Sequence, residues 1–133
     1  MTIQLSTAVR NARLDVIEST VGTAAVMRIL TGAIPANCAA AETGTILAQL
    51  TLPSDWMDAA ASGAKAKAGT WTDASADNTG TATYFRVYDS GITACAIQGS
   101  VGTTATDMIV DSVSFTAGQA FTITAFTLTD GNA

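Results

Sequence analysis

From position 22 onward, short runs of alternating apolar and polar residues are separated by glycine turns, and this pattern confines the chain to a β fold. The clearest run is 45–52, where Ile46, Ala48, Leu50 and Leu52 fall on one face and Thr45, Gln49 and Thr51 mostly on the other. A period of two marks a half-buried strand of an antiparallel sheet. Residues 24–31 and 81–89 read the same way. In the second of these, Phe85 and Val87 share one face, and Tyr84, Arg86 and Tyr88 share the other. Residues 94–101, 108–115 and 121–129 add three more strands, and Trp71 sits on a short one. Turns are expected at Ser90-Gly91, 102–105 and 117–119. With no internal repeat and no βαβ alternation, the pattern predicts an all-β fold: an antiparallel β-sandwich, jelly-roll-like, with a short N-terminal helix or arm. Large side chains are few (four Phe, two Trp, two Tyr), so the core should be thin.

The run at 121–129 contains a change of parity. Phe121 and Ile123 are odd, whereas Phe126 and Leu128 are even. A bulge near Ala125 would return both pairs to one face; alternatively, both faces are covered there. Two segments between strands read as irregular. Residues 32–44 contain Pro35 and Asn37, and 63–69 is an Ala/Lys/Gly-rich surface loop. Ser54 followed by Asp55 predicts a short helix over 55–61, ended near Gly63.

The N-terminal segment differs in period. Leu5, Val9, Ala12 and Val16, with Ile17 beside them, lie at i, i+4, i+7 and i+11 and form one narrow apolar stripe. Ser6 or Thr7 can cap the start, and Gly22 can end the helix. The stripe can pack on its own domain or reach a neighbour. The chain therefore divides into a helical segment or arm, 1–22, and a single β-sandwich domain, 23–133.

Catalysis has little to work with. There is no His, only 13% of residues are charged, and the carboxylates are scattered. Acid–base and nucleophilic catalysis near neutral pH usually need such groups clustered. Ser62 and Lys65 lie in a Gly/Ala loop unsuited to holding geometry, and no phosphate-binding glycine motif occurs. Asp73, Asp77 and Asn78 share a turn, where these residues are common without a metal. Cys38 and Cys95 read as buried or half-buried free thiols, with pairing left open. We expect no enzyme activity, no cofactor and no metal.

The six basic residues form no stripe and the net charge is −5, which argues against direct nucleic-acid binding. No apolar run is long enough to span a membrane, and the first residues lack a secretory signal, so synthesis in the cytoplasm is expected. Trp56, Trp71, Tyr84 and Tyr88 are candidates for a sugar-stacking platform, with core packing as the simpler reading. Tyr84, Arg86 and Tyr88 also have the composition of a protein interface. The candidate interface is therefore Tyr84, Arg86 and Tyr88 on the sheet, with Leu5, Val9 and Arg13 on the helix.

The phrases LSTAVRNARLDVIESTVG, PANCAAAETGTILAQLTLPSDWM and YFRVYD resemble virion structural proteins of tailed bacteriophages, most of all capsid cement (decoration) proteins. The resemblance covers most of the chain and is one of texture and phrases, without a catalytic motif. It implies a protein made in the host cytoplasm that binds the outside of the capsid shell, with the major capsid protein as partner and a dimer or trimer as its own state. Segments 1–22 and 32–44 are then candidates for ordering on binding. Alternatives are a tail, fibre or head–tail component, or a carbohydrate-binding β-sandwich module.

Overall fold

The structure, a computed structural model, describes residues 2–131. One helix, α1 (Thr7–Val21), precedes ten strands: β1 (Val26–Leu30), β2 (Ile46–Thr51), β3 (Ala64–Ala66), β4 (Trp71–Asp73), β5 (Gly80–Thr81), β6 (Tyr84–Tyr88), β7 (Cys95–Gly102), β8 (Met108–Val110), β9 (Ser114–Phe115) and β10 (Phe121–Thr129). Eight strands form one sheet in the order β2-β1-β6-β7-β8-β10-β3, with β4 also on β10; β5 and β9 pair separately. The fold is thus mostly β with one helix, as the alternation requires.

The sheet is mixed rather than antiparallel. β7 and β8 run parallel, with Val101 opposite Met108 and Gly102 opposite Ile109. Parallel neighbours normally need a crossover of about a dozen residues or more. Here only residues 103–107 intervene, because the pairing is two residues long and the turn is held from within. Asp107 accepts from the backbone N–H and the hydroxyl of Ser100, both at 2.8 Å. Side-chain alternation carries no information about strand direction, so this reversal is invisible to it.

The sheet also curves. Phe85 on β6 and Phe126 on β10 meet edge to face with ring centroids 5.4 Å apart. Three strand spacings separate them, roughly 14 Å in a flat sheet. Strong curvature closes that gap and wraps the strands around an aromatic centre in which Trp71 joins Phe126 at 5.4 Å and Trp56 joins Trp71 at 6.1 Å. Burying such side chains contributes roughly 1.5–3 kcal/mol each before packing geometry is added.

Two irregularities let the sequence fill this core. Pairing of β10 with β8 shifts between Ile123 and Ala125, so Phe121, Ile123 and Phe126 all point inward and Leu128 packs beside them. Pairing of β1 with β2 shifts between Ile29 and Leu30, and Leu47 and Ala48 are then buried in succession.

Residues 54–61 form no helix. Trp56 and Met57 are both buried, and the backbone pairs with 66–68 through Asp58 N–H to Ala66 O and Ala68 N–H to Trp56 O, each 2.8 Å. The expected loop at 63–69 is partly strand: β3 pairs with β10 and carries a buried lysine, Lys65.

Candidate functional site

Helix α1 begins where Ser6 Oγ accepts from Val9 N–H at 3.3 Å, and ends where Gly22, at φ +88°, donates to Glu18 O. Several polar contacts seat the helix on the β structure. Asn11 Oδ1 accepts from Gly63 N–H at 2.9 Å, and Arg10 Nη1 donates to Asp130 O at 3.1 Å. Arg13 lies 3.2 Å from the Asp130 carboxylate. Asp15 accepts from Ala60 N–H, and Glu18 from Met57 N–H, both at 3.0 Å. Leu14 and Val21 are the buried apolar residues of the helix.

Lys65 fastens this seat. Its ammonium is nearly inaccessible and donates to Asp15 (2.8 Å), Asp58 O (2.9 Å) and Glu18 (3.0 Å), which accounts for all three protons. Burial pulls the Lys65 pKa down, but its hydrogen bonds to Asp15 and Glu18 outweigh it and hold the group above its ordinary value. The same bond to Lys65, helped by Ala60 N–H, holds Asp15 below the ordinary carboxylate range. A groove of about 600 Å³ runs beside this pair, between α1 and residues 54–59.

The predicted apolar stripe therefore faces away from the protein. Val9 is 47% exposed and Val16 58%, with Ala12 exposed between them and Ile3 85% exposed just before the helix. The Arg13 side chain is 60% exposed beside Val9 and Val16, and Leu5 is half-buried at the end of the stripe. The helix thus buries Leu14 and Val21, with Ile17 half-buried between them, and leaves a second apolar strip, Val9, Ala12 and Val16, facing outward.

The other candidate face is closed. Tyr84, Arg86 and Tyr88 do share a side of β6, but all three are buried. The cover is the segment 32–44, which the sequence marked as irregular. Tyr84 OH donates to Thr43 O at 2.7 Å and accepts from Thr43 N–H at 3.0 Å. Arg86 donates to Asn37 O and Gln98 Oε1, both at 3.0 Å, and Gln98 Nε2 donates to Pro35 O at 2.8 Å. Arg86 also donates to Tyr88 OH, which in turn donates to Glu42. Glu42 is held from the far side by both its oxygens on Arg28 Nη1, each at 3.1 Å. A buried arginine without a directly bonded carboxylate is thus linked to Glu42 through one tyrosine. Burial pulls the Arg86 pKa down, yet the Tyr88 hydroxyl keeps it above its ordinary value. Burial raises the Tyr88 phenol in turn. Tyr84, Arg86 and Tyr88 accordingly serve the fold's own cover, because each polar tip finds its partner within the chain.

Trp56 and Trp71 have no exposed surface and belong to the core, so with Tyr84 and Tyr88 also covered these four aromatics present no face for a sugar. In the 72–80 turn, Asp73 accepts from Ser75 N–H and Asn78 Nδ2 donates to Ile46 O. Among the described residues no helix is long and apolar enough to cross a membrane. Comparison with protein-family models, curated proteins and solved structures gave no match for this chain.

Proposed function

We propose that this chain is a non-enzymatic structural protein of a phage virion that binds the outer surface of the capsid shell and stabilises it, with the major capsid protein as its partner. The observation that carries the reading is the outward apolar stripe Val9, Ala12 and Val16, preceded by Ile3, on a helix held down by polar contacts. The helix is anchored by these contacts and by buried Leu14 and Val21, and it offers the separate Val9–Ala12–Val16 strip to another surface. The stripe is narrow and short, so one copy would bind weakly. Repetition over a symmetric shell supplies avidity that a single contact lacks. The resemblance of the chain's phrases to cement proteins supports the same reading. Within it, the curved sheet is a jelly-roll-like sandwich and the protein acts as a dimer or trimer.

The test is binding to assembled shells and to free capsid subunits, with Val9→Asp/Val16→Asp as the control variant. The expected result is co-sedimentation of the native chain with shells only, in a fixed ratio to the capsid subunit, and loss of binding in the double variant at unchanged Tm. Location at the tail by labelled antibody, at a few copies per particle, would replace this reading with that of a tail component.

A further inference from the structure

The cover over β6 has one feature that its hydrogen bonds do not explain. Cys38, in the middle of segment 32–44, places its Sγ 2.8 Å from Sγ of Cys95 at the start of β7. The two are 57 positions apart and sit on independently built frames. Asn37 Oδ1 accepts from Ala39 N–H (2.9 Å) and Ala40 N–H (3.0 Å), which fixes the turn carrying Cys38. Cys95 is fixed opposite Tyr88 where the β6–β7 register shifts. Both residues are half-buried free thiols, so a small solute can reach them. The polar ties between the cover and the sheet are hydrogen bonds from Tyr84, Arg86 and Gln98 and the Arg28–Glu42 ion pair.

We infer that Cys38 and Cys95 are a redox pair whose oxidation to an intramolecular disulfide locks segment 32–44 over Tyr84, Arg86 and Tyr88. The oxidant is a low-molecular-weight disulfide of the glutathione type. In the first step the Cys38 thiolate attacks one sulfur of the oxidant, forms a mixed disulfide and releases one thiolate, which takes up a proton. In the second step the Cys95 sulfur, having lost its proton to solvent, attacks Cys38 Sγ and expels the second small thiol. The protein gives up two electrons and two protons, and the oxidant becomes two thiols.

The surroundings of Cys95 change between the two steps. Burial, then the hydrogen bond and the charge of Cys38, push the Cys95 thiol up to about 12, which disfavours its thiolate while Cys38 is free. Once Cys38 carries the mixed disulfide, its thiol hydrogen bond and charge are gone. The Arg86 charge, which favours a Cys95 thiolate, stays in place. Capping Cys38 thereby readies Cys95 to resolve it.

The experiment takes the full chain, reduced and desalted, and treats it with oxidised glutathione. It then blocks remaining thiols with N-ethylmaleimide and measures intact mass, Tm and amide exchange over 33–43. The expected product is a monomer lighter by two hydrogens, with neither maleimide nor glutathione attached and with the Cys38 and Cys95 peptides joined. Closing so long a loop should raise Tm by about 10 °C, slow exchange in the cover, and be reversed by dithiothreitol. Cys95→Ser should stop at a glutathione adduct on Cys38 and show no such Tm rise. Glutathione adducts on both cysteines, covalent dimers, or a joined pair with unchanged Tm and unchanged exchange would each overturn the inference.

Discussion

The two surfaces that the sequence offered as interfaces differ in what their own chain does with them. The Tyr84–Arg86–Tyr88 face is rich in hydrogen-bonding groups, and segment 32–44, with Gln98 of β7, answers them. The α1 stripe is apolar and small, and among the described residues nothing in Ile3, Val9 or Val16 is hidden to a comparable degree. A face that is polar at its tips and bulky at its base is easily closed by a local loop, because the loop backbone supplies donors and acceptors at every residue. A strip of Val and Ala gives a backbone nothing to bond. Composition typical of interfaces therefore marks either an interface between molecules or a covered face within one, and only the availability of a nearby polar segment separates them.

Three changes would break or sharpen this contrast. The largest effect is expected from Gly44→Ala. Gly44 has φ +72°, and an added Cβ would fall 2.1 Å from the Thr31 carbonyl oxygen at the base of the cover. Backbone strain and displacement together should cost about 3 kcal/mol in urea unfolding. An unchanged midpoint would mean that the cover is not seated as described.

Next comes the seat of α1. Asp15 is held below its ordinary 3.8, so its contribution is complete above that value and is lost as pH falls through the lower, folded value. Lys65 is held above its ordinary 10.5, so its contribution is complete below that value and is lost as pH rises through the higher, folded one. The urea midpoint should be flat at neutral pH and decline on both sides of this window. Asp15→Asn should shrink the acid limb to the part carried by Asp89, which the Thr93 hydrogen bonds also hold below its ordinary value, and an acid limb unchanged in this variant would show that Asp15 does not contribute to it.

The smallest effect is expected from Val9→Ser/Val16→Ser. Exposed positions of this kind change stability by no more than about 0.5 kcal/mol. A loss of several times that amount would show that the stripe is buried after all, against its outward placement.

Much of the architecture was legible from local pattern. Ser6 and Gly22 bounded the helix, and of the two readings that the parity change between Ile123 and Phe126 left open, the bulge is the one found, between Ile123 and Ala125. What escaped was set by partners distant in sequence. Lys65 looked like part of a solvated loop, and only Asp15 and Glu18, from the helix, make its burial tolerable. The stripe Val9–Ala12–Val16 was visible, but its outward direction was not, because periodicity finds an apolar face without saying where it points. The helix expected at 55–61 lost to sheet-like pairing that its own residues do not encode.

Strand β10 has a consequence for synthesis. It pairs with β8 and β4 through its first half and with β3 through its last residues, and all three come earlier in the chain. A polypeptide that emerges N-terminus first must wait for residues 121–129 before those edges can close, whereas the β1–β2 and β6–β7 pairs can form as they appear. Late closure of distant partners is slow and leaves strand edges open to other chains. Yield at high expression should therefore be limited by how quickly the last strand is delivered, more than by the stability of the finished sheet.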